Sequence, residues 1–506
     1  MSTTANVNRL TRLTVVVLCV VCSSARAGTA GQLRAGAAKV DITSPDAEAR
    51  NERLYARALV LSDDETTAVI VAVDAVAIGE IGDIKNDYLP TVRRQLEQDL
   101  KIKPANVLVN ASHCHGVVCD DIAQRTVQAV KEAWRKMVPV SVGVGVGHED
   151  RIMENRRIKL KSGRVVDVRH AYSMPPDEAV AAVGPVDPQI GVLRLDRKDG
   201  RTLAVVYNFA LHPIQGVPSG TNTADITGFA SRVIEDNLSD DTIALFIQGC
   251  GGDINPVFYK DVDHPRDAEP LGNLLGLSTL RAVRKIQVRP DAKFKMINET
   301  LALPRADYAA RIDAMQAEQL RLIASLKGTT LNLKTFLPLA VKYNLAREFP
   351  SYYAPRYLHD KQIGSDALAK LDAENRRNME AYLQNVHVME ELTRLQTNLA
   401  LLKKHHARNA AAGKTIDIEV VGLRVGDFVL ATSPGELTVE IGLNIKKKSP
   451  HEMTFVAGYT NGYIYYTPTA EQLANPGGAQ EDCDCLVAPE WQMLFENKVA
   501  DVLKRL

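Results

Sequence analysis

Val107-Leu108-Val109-Asn110-Ala111-Ser112-His113-Cys114-His115-Gly116 is an apolar run that breaks into a His-x-His pair and then a glycine. On an extended strand alternate side chains share a face, so His113 and His115 are expected to project together, with Cys114 on the other side. Imidazole nitrogens are the commonest protein donors to zinc, but a catalytic zinc needs about three protein ligands and an open position. Two histidines at a strand end read equally well as a satisfied structural pair. The flanking chain has to supply the partners.

Upstream, residues 55–61 and 67–76 read as strands rich in Val, Ile and Ala, and residues 84–100 as a helix. Asp74 sits among apolar neighbours, where a carboxylate is costly to bury unless it is paired. Downstream, Asp120-Asp121 opens a helix to about Met137, with Ile122, Val127, Val130 and Trp134 at helical spacing. Residues 140–147 alternate valine and glycine without the spacing of a dinucleotide-binding loop. They read as a strand that another backbone approaches closely. Asn155-Arg156-Arg157 follows, and by composition its arginines read as surface charge.

A second apolar run, Leu203-Ala204-Val205-Val206-Tyr207-Asn208-Phe209-Ala210-Leu211-His212-Pro213, also ends at a histidine. Pro213 cannot donate to a ladder and disfavours helix at His212, which places His212 where a strand opens into a loop. In α/β proteins such strand ends are where reactive groups gather. Residues 242–248 then run into Gly249-Cys250-Gly251-Gly252-Asp253-Ile254-Asn255-Pro256, whose small residues allow close backbone approach. Between 303 and 410 the pattern changes to helical stripes, Tyr308 to Leu326 and Met379 to Leu402, expected to form a helical hairpin or cap inserted in an α/β domain. Strand-like runs return at 416–424 and 427–432, the latter entering Ser433-Pro434-Gly435-Glu436. A tyrosine-rich loop closes the pattern at 460–469.

Composition bounds these readings. The chain has 506 residues, 45% hydrophobic and 24% charged, enough for a large core. Its 61 basic and 61 acidic side chains argue against a nucleic-acid binder. Arg9 and Arg12, the apolar run 13–22 and Ala25-Arg26-Ala27 read as a secretory signal peptide at 1–27, hence a secreted or periplasmic protein. Its removal leaves Cys114, Cys119, Cys250, Cys483 and Cys485, an odd number that is no disulfide framework. Cys483 and Cys485 read as loop cysteines open to pairing.

Ser112 to Gly116, Asn208 to Pro213, Gly251 to Pro256, Ser433 to Glu436 and Asn461 to Thr469, in this order, resemble the neutral (non-lysosomal) ceramidase family, specifically its N-terminal zinc-hydrolase domain. The resemblance spans 33–469. It implies a mixed-sheet α/β fold for the catalytic domain, which is read here in two parts, 33–302 and 411–506, around the helical insertion 303–410, itself a departure from the family. It implies a Zn2+ cofactor held by His113, His212, Glu436 and Tyr466. It also implies that His115 orients substrate or water, that Arg156 hydrogen-bonds near the site, and that Tyr466 takes part in catalysis.

The implied activity is hydrolysis of an N-acyl bond in a small or lipid-like substrate by metal-activated water, with room for peripheral membrane contact. A zinc esterase or peptidase-like hydrolase, or a non-catalytic metal-stabilised envelope protein, are the alternatives. Asn255 stands where the family carries a serine, so a serine nucleophile is excluded there. Where the family often has a second tyrosine this chain reads Gly477 to Glu481, so an oxyanion partner is either missing or supplied by Tyr463 or Tyr465. The chain ends at Leu506, with no room for the family's C-terminal immunoglobulin-like domain. His115, Asp74 and Asp253 are the candidates for general base.

Overall fold

The computed structural model describes residues 32–506 apart from 48–52, 169–174, 217–221, 260, 262, 265, 291, 352, 476 and 477. The signal-peptide reading at 1–27 lies outside the described residues. Among the described residues, no helix is long and apolar enough to cross a membrane.

In chain order the first elements are β1 (Arg34–Asp41), β2 (Tyr55–Ser62), β3 (Thr67–Val73), α1 (Tyr88–Leu100), β4 (Val107–Ala111), α2 (Ile122–Arg135) and β5 (Val138–His148). Short strands β6 (Met153–Asn155), β7 (Arg157–Leu160), β8 (Val165–Asp167) and β9 (Val180–Val183) follow. Next come β10 (Gln189–Arg197), β11 (Thr202–Phe209), α3 (Asp225–Asp236), β12 (Ile243–Gln248), β13 (Ile254–Pro256) and α4 (Glu269–Val283). Then β14 (Phe294–Pro304) precedes the helices α5 (Ala309–Ala324), α6 (Leu333–Leu345), α7 (Ala354–Gln362) and α8 (Ala367–Ala411). The chain finishes with β15 (Thr415–Val425), β16 (Phe428–Thr432), β17 (Glu436–Leu437), α9 (Val439–Lys448), β18 (Thr454–Ala457), β19 (Tyr466–Thr467), α10 (Ala470–Leu473) and α11 (Trp491–Arg505).

Two mixed sheets form the body. One has eight strands in the order β12-β11-β10-β5-β1-β2-β3-β4, the other four in the order β14-β15-β16-β18. Strand periodicity explains how they stack. In β3, Val69, Val71 and Val73 face the α1 and α2 side, while Ile70 and Ala72 face the other sheet. In β11, Val205, Tyr207 and Phe209 meet α3 and α4, whereas Ala204 and Val206 join Leu423, Phe428 and Phe455 between the sheets. The far face of the smaller sheet is closed by α9 and α11 through Ile441, Trp491 and Phe495. The layers are therefore helix, sheet, sheet, helix, and strands buried on both faces read as unbroken apolar runs.

Close backbone approach sets two glycines. A Cβ on Gly36 of β1 would lie 2.0 Å from the Ala133 carbonyl oxygen of α2, and one on Gly143 of β5 would lie 2.6 Å from the Gln287 carbonyl oxygen. The valine-glycine alternation of β5 thus reports a neighbouring backbone. Gly36→Ala is expected to push α2 off the sheet and destabilise the fold by about 1–3 kcal/mol, seen as a lower Tm.

Of the hairpin or cap expected for it, the insertion takes the larger form. It contains four helices, and α8 alone has 45 residues, roughly 68 Å at the usual rise. β14 and β15 pair antiparallel from Phe294↔Val425 to Pro304↔Thr415 and so close its base. The C-terminal half of α8 is tied to the body by His405 Nε2 to Asp484 Oδ1 at 2.6 Å and by Arg408 to Glu80 at 2.7 Å. The five cysteines among the described residues are buried and free. Cys483 enters the core under the insertion and Cys485 the core beneath α11, so residues on opposite sides of Asp484 do not meet.

Candidate metal centre

Among the described residues, the eight- and four-stranded sheets contain the parallel strand pairs β3–β4, β11–β12 and β16–β18. The candidate ligands lie just beyond the C-terminal ends of strands from these pairs. His113 follows β4, His212 follows β11 and Glu436 follows β16. Open α/β sheets place ligand sites at such ends, because loops there converge while the strands stay rigid. One imidazole nitrogen of each histidine and a Glu436 carboxylate oxygen lie within 4.8 Å of one another, and all three residues are buried.

His113 is not on a strand. β4 ends at Ala111 and His113 has φ +67°, so the strand alternation expected for the His-x-His pair does not apply. The left-handed turn is held by His113 N–H donating to Ala75 O at 2.9 Å, and by Asn222 bonding both ways to Val117 at 2.8 and 3.0 Å. The two rings still come together, with centroids 5.3 Å apart, but His113 is buried while His115 is exposed.

Backbone carbonyls orient both buried imidazoles. His113 Nδ1 lies 2.6 Å from Val76 O, and His212 Nδ1 lies 2.5 Å from Gly251 O and 3.1 Å from Ile254 O. A carbonyl only accepts, so Nδ1 donates and Nε2 carries the lone pair. Those Nε2 atoms lie 3.5 and 3.2 Å from Glu436 Oε2. Two imidazole lone pairs facing one carboxylate, each fixed from behind, is the arrangement a divalent cation requires.

Glu436 is itself held by phenols. Tyr459 OH donates to Oε2 at 3.1 Å and Tyr463 OH donates to Oε1. Burial first, and then the Glu436 charge, push both phenols well above their ordinary pKa, so they stay protonated donors. Tyr463 is thereby committed to Glu436, and Tyr465 faces the insertion, where Arg408 donates to its hydroxyl at 3.3 Å. Tyr459 has no counterpart among the residues singled out from sequence. Tyr463 also lines a cleft of about 760 Å3 whose walls include Ile78, Leu89 and Ile416.

Tyr466 is paired in register with Glu436 through β17 and β19, and its ring stacks on His212 with centroids 6.5 Å apart. Its hydroxyl accepts from Arg156 Nη2 at 3.2 Å. Arg156 is fully buried, contrary to its reading as surface charge. Its guanidinium also donates to Glu481 Oε1 at 2.6 Å, to Asn255 Oδ1 at 3.1 Å and to Gly252 O at 2.5 Å. The neighbouring Arg157 is buried too, donating to Glu481 Oε2 at 3.0 Å and to Asp482 Oδ1 at 2.8 Å. Asn255, in place of a serine, thus serves as an acceptor for Arg156.

The proposed bases separate. Asp74 is ion-paired to Arg57 at 2.5 Å and accepts from Tyr55 N–H at 2.9 Å, which gives it a structural task. Asp253 accepts from Val439 N–H at 2.8 Å and Asn155 Nδ2 at 3.1 Å and lines a different cavity of about 420 Å3. His115 stays beside the centre. Burial pushes the Asp253 pKa up to about 6. A carboxyl raised on folding adds stability that is fully present below its unfolded pKa of ~4 and is lost as pH rises through the folded value. Wild type is therefore expected to lose on the order of 1–3 kcal/mol across this window relative to Asp253→Asn, read from Tm against pH.

No protein-family model matches the chain, and no curated protein matches it significantly. Solved structures do. The neutral ceramidase from Pseudomonas aeruginosa superposes with a TM-score of 0.58 at 16% identity, covering 94% of this chain and 75% of that one. A ceramidase complexed with C2 gives a TM-score of 0.57 at 16% identity with the same coverage. The chain has the neutral ceramidase fold, in agreement with the motif resemblance.

Proposed function

We propose that this chain, built on the neutral ceramidase fold, is a zinc-dependent hydrolase that cleaves the N-acyl bond of a lipid-like amide. The observation that carries the reading is the convergence of His113, His212 and Glu436 from three strand ends, with their ligand atoms within 4.8 Å. Two neutral imidazoles and a carboxylate make a zinc donor set, and Tyr466 is the fourth ligand implied by the resemblance. When bound, zinc supplies Lewis acidity that brings the pKa of water toward neutrality and polarises a carbonyl.

The chain's own residues supply the rest. Val76 O and Gly251 O fix the tautomers of His113 and His212, and Tyr459 and Tyr463 fix the Glu436 carboxylate. His115, exposed beside His113, would orient substrate and carry a proton. Arg156 donates to the Tyr466 hydroxyl and so orients it, and the pair would stabilise negative charge developing on an acyl oxygen bound beside it. Asn255 offers no nucleophile at its position, in keeping with water as the attacking group. We place the protein outside the cytoplasm on the sequence of residues 1–27.

The test combines metal analysis with a substrate panel. Purified protein is expected to carry stoichiometric zinc, to lose activity on chelation and to hydrolyse ceramides or other long-chain N-acyl amides in preference to simple esters. Protein without stoichiometric metal, or with turnover confined to esters, would overturn the reading.

A further inference from the structure

The helical insertion carries apolar side chains on the wrong face for a soluble helix. α6 packs inward through Phe336, stacked on Tyr382 of α8 with centroids 4.5 Å apart, and through buried Tyr343, which donates to Asp372 at 2.7 Å. A helix of this kind should carry polar residues on the other side. Instead Leu333, Leu337, Val341 and Leu345, spaced four apart, are 58%, 52%, 57% and 81% exposed. Beyond α6, Tyr353 is 87% exposed, and Leu358 and Ile363 on and beside α7 are exposed as well.

Charge tells what such a face meets. Between residues 327 and 363 there are six Lys and Arg against two carboxylates, in a protein whose formal net charge is zero. Lys334 and Lys342 lie on α6 itself and are exposed, as are Arg347, Arg356 and Lys361. One of the two carboxylates, Asp360, is buried, with Arg356 3.7 Å from it. An apolar stripe flanked by lysines, with an exposed tyrosine beside it, is the composition of a helix that lies in a bilayer interface and is drawn to anionic headgroups.

We infer that the outward face of α6 and α7 docks on an anionic lipid bilayer, with Leu337 and Val341 entering the acyl boundary and Lys334 and Lys342 reaching headgroup phosphates. The surface deepens the proposed reading, on which it rests for its purpose, since a lipid-like substrate is met at a membrane. Each basic residue near such a surface adds affinity, and each buried leucine adds more.

Flotation of the full chain with vesicles tests the inference without requiring turnover. Wild type is expected to float with phosphatidylglycerol–phosphatidylcholine vesicles and to stay in solution with phosphatidylcholine alone. Leu337→Glu/Val341→Glu and, separately, Lys334→Glu/Lys342→Glu are expected to lower the bound fraction about tenfold at unchanged Tm. No flotation, equal binding to neutral vesicles, or binding that neither variant weakens would overturn it. So would a concentration-dependent dimer in sedimentation that Leu337→Glu/Val341→Glu converts to monomer, because the face would then meet a second copy. A chain that floats but hydrolyses no amide would overturn the enzymatic reading and leave the docking surface standing.

Discussion

Glu436→Ala is expected to strip the centre of its metal and to lower kcat/KM by well over 100-fold. Loss of groups that merely hold metal ligands costs about 10–100-fold, so loss of a ligand should cost more. The alanine also removes the shared acceptor of Tyr459 and Tyr463. Each buried hydroxyl left without a partner costs about 1–3 kcal/mol, so Tm should fall too. Glu436→Gln separates the two effects. Its amide keeps an oxygen acceptor but lacks the charge, so the fold should be largely retained while zinc and turnover are still lost. A Glu436→Gln enzyme with full metal content and unchanged rate would exclude the carboxylate from the centre.

The second large effect is expected at Arg156. Truncation to alanine removes one of the two arginines that pair with the buried Glu481, so that Glu481 and the buried Asp482 share the charge of Arg157. Breaking a buried ion pair from one side costs about 3–5 kcal/mol, a large share of a typical domain's stability of roughly 5–15 kcal/mol. Lysine should not rescue it, because a single ammonium cannot reproduce a fork that reaches Glu481, Asn255, Gly252 and Tyr466 together. Arg156→Met/Glu481→Leu removes both charges, and denaturant unfolding should show much of the stability returning. Its hydrolysis should remain impaired, since Tyr466 has lost the Arg156 hydrogen bond. If the double variant recovered full kcat, Arg156 would be structural alone.

What could be read in advance follows from how local each signal is. The strand ends that carry His113, His212 and Glu436 were legible because buried strands make unbroken apolar runs, and glycine or proline interrupts them. The relation of His113 to His115 was not, because a residue at φ +67° leaves the strand alternation. Tyr459 lies just past the last residue of β18, where an aromatic residue reads as strand rather than as a support for Glu436. Glu481 is 325 residues from Arg156, and each looks solvated until the other is placed beside it. In the insertion, α6 and α7 are not legible because their apolar residues mark an outward face, whereas α5 buries Ile312, Met315 and Leu322 and the later part of α8 buries Leu395, Leu399 and Leu402 at helical spacing.

His113 and His212 extend from the eight-stranded sheet, whereas Glu436 follows a strand of the four-stranded sheet. A cation held by all three would therefore act as a clasp between the layers, closing a chain segment of more than 300 residues. Any such ligand binds the docked sheets and not the separated ones, so it raises the free energy of unfolding in proportion to the logarithm of its concentration. With a cation bound, these three buried side chains would couple the joining of the two halves to metal supply.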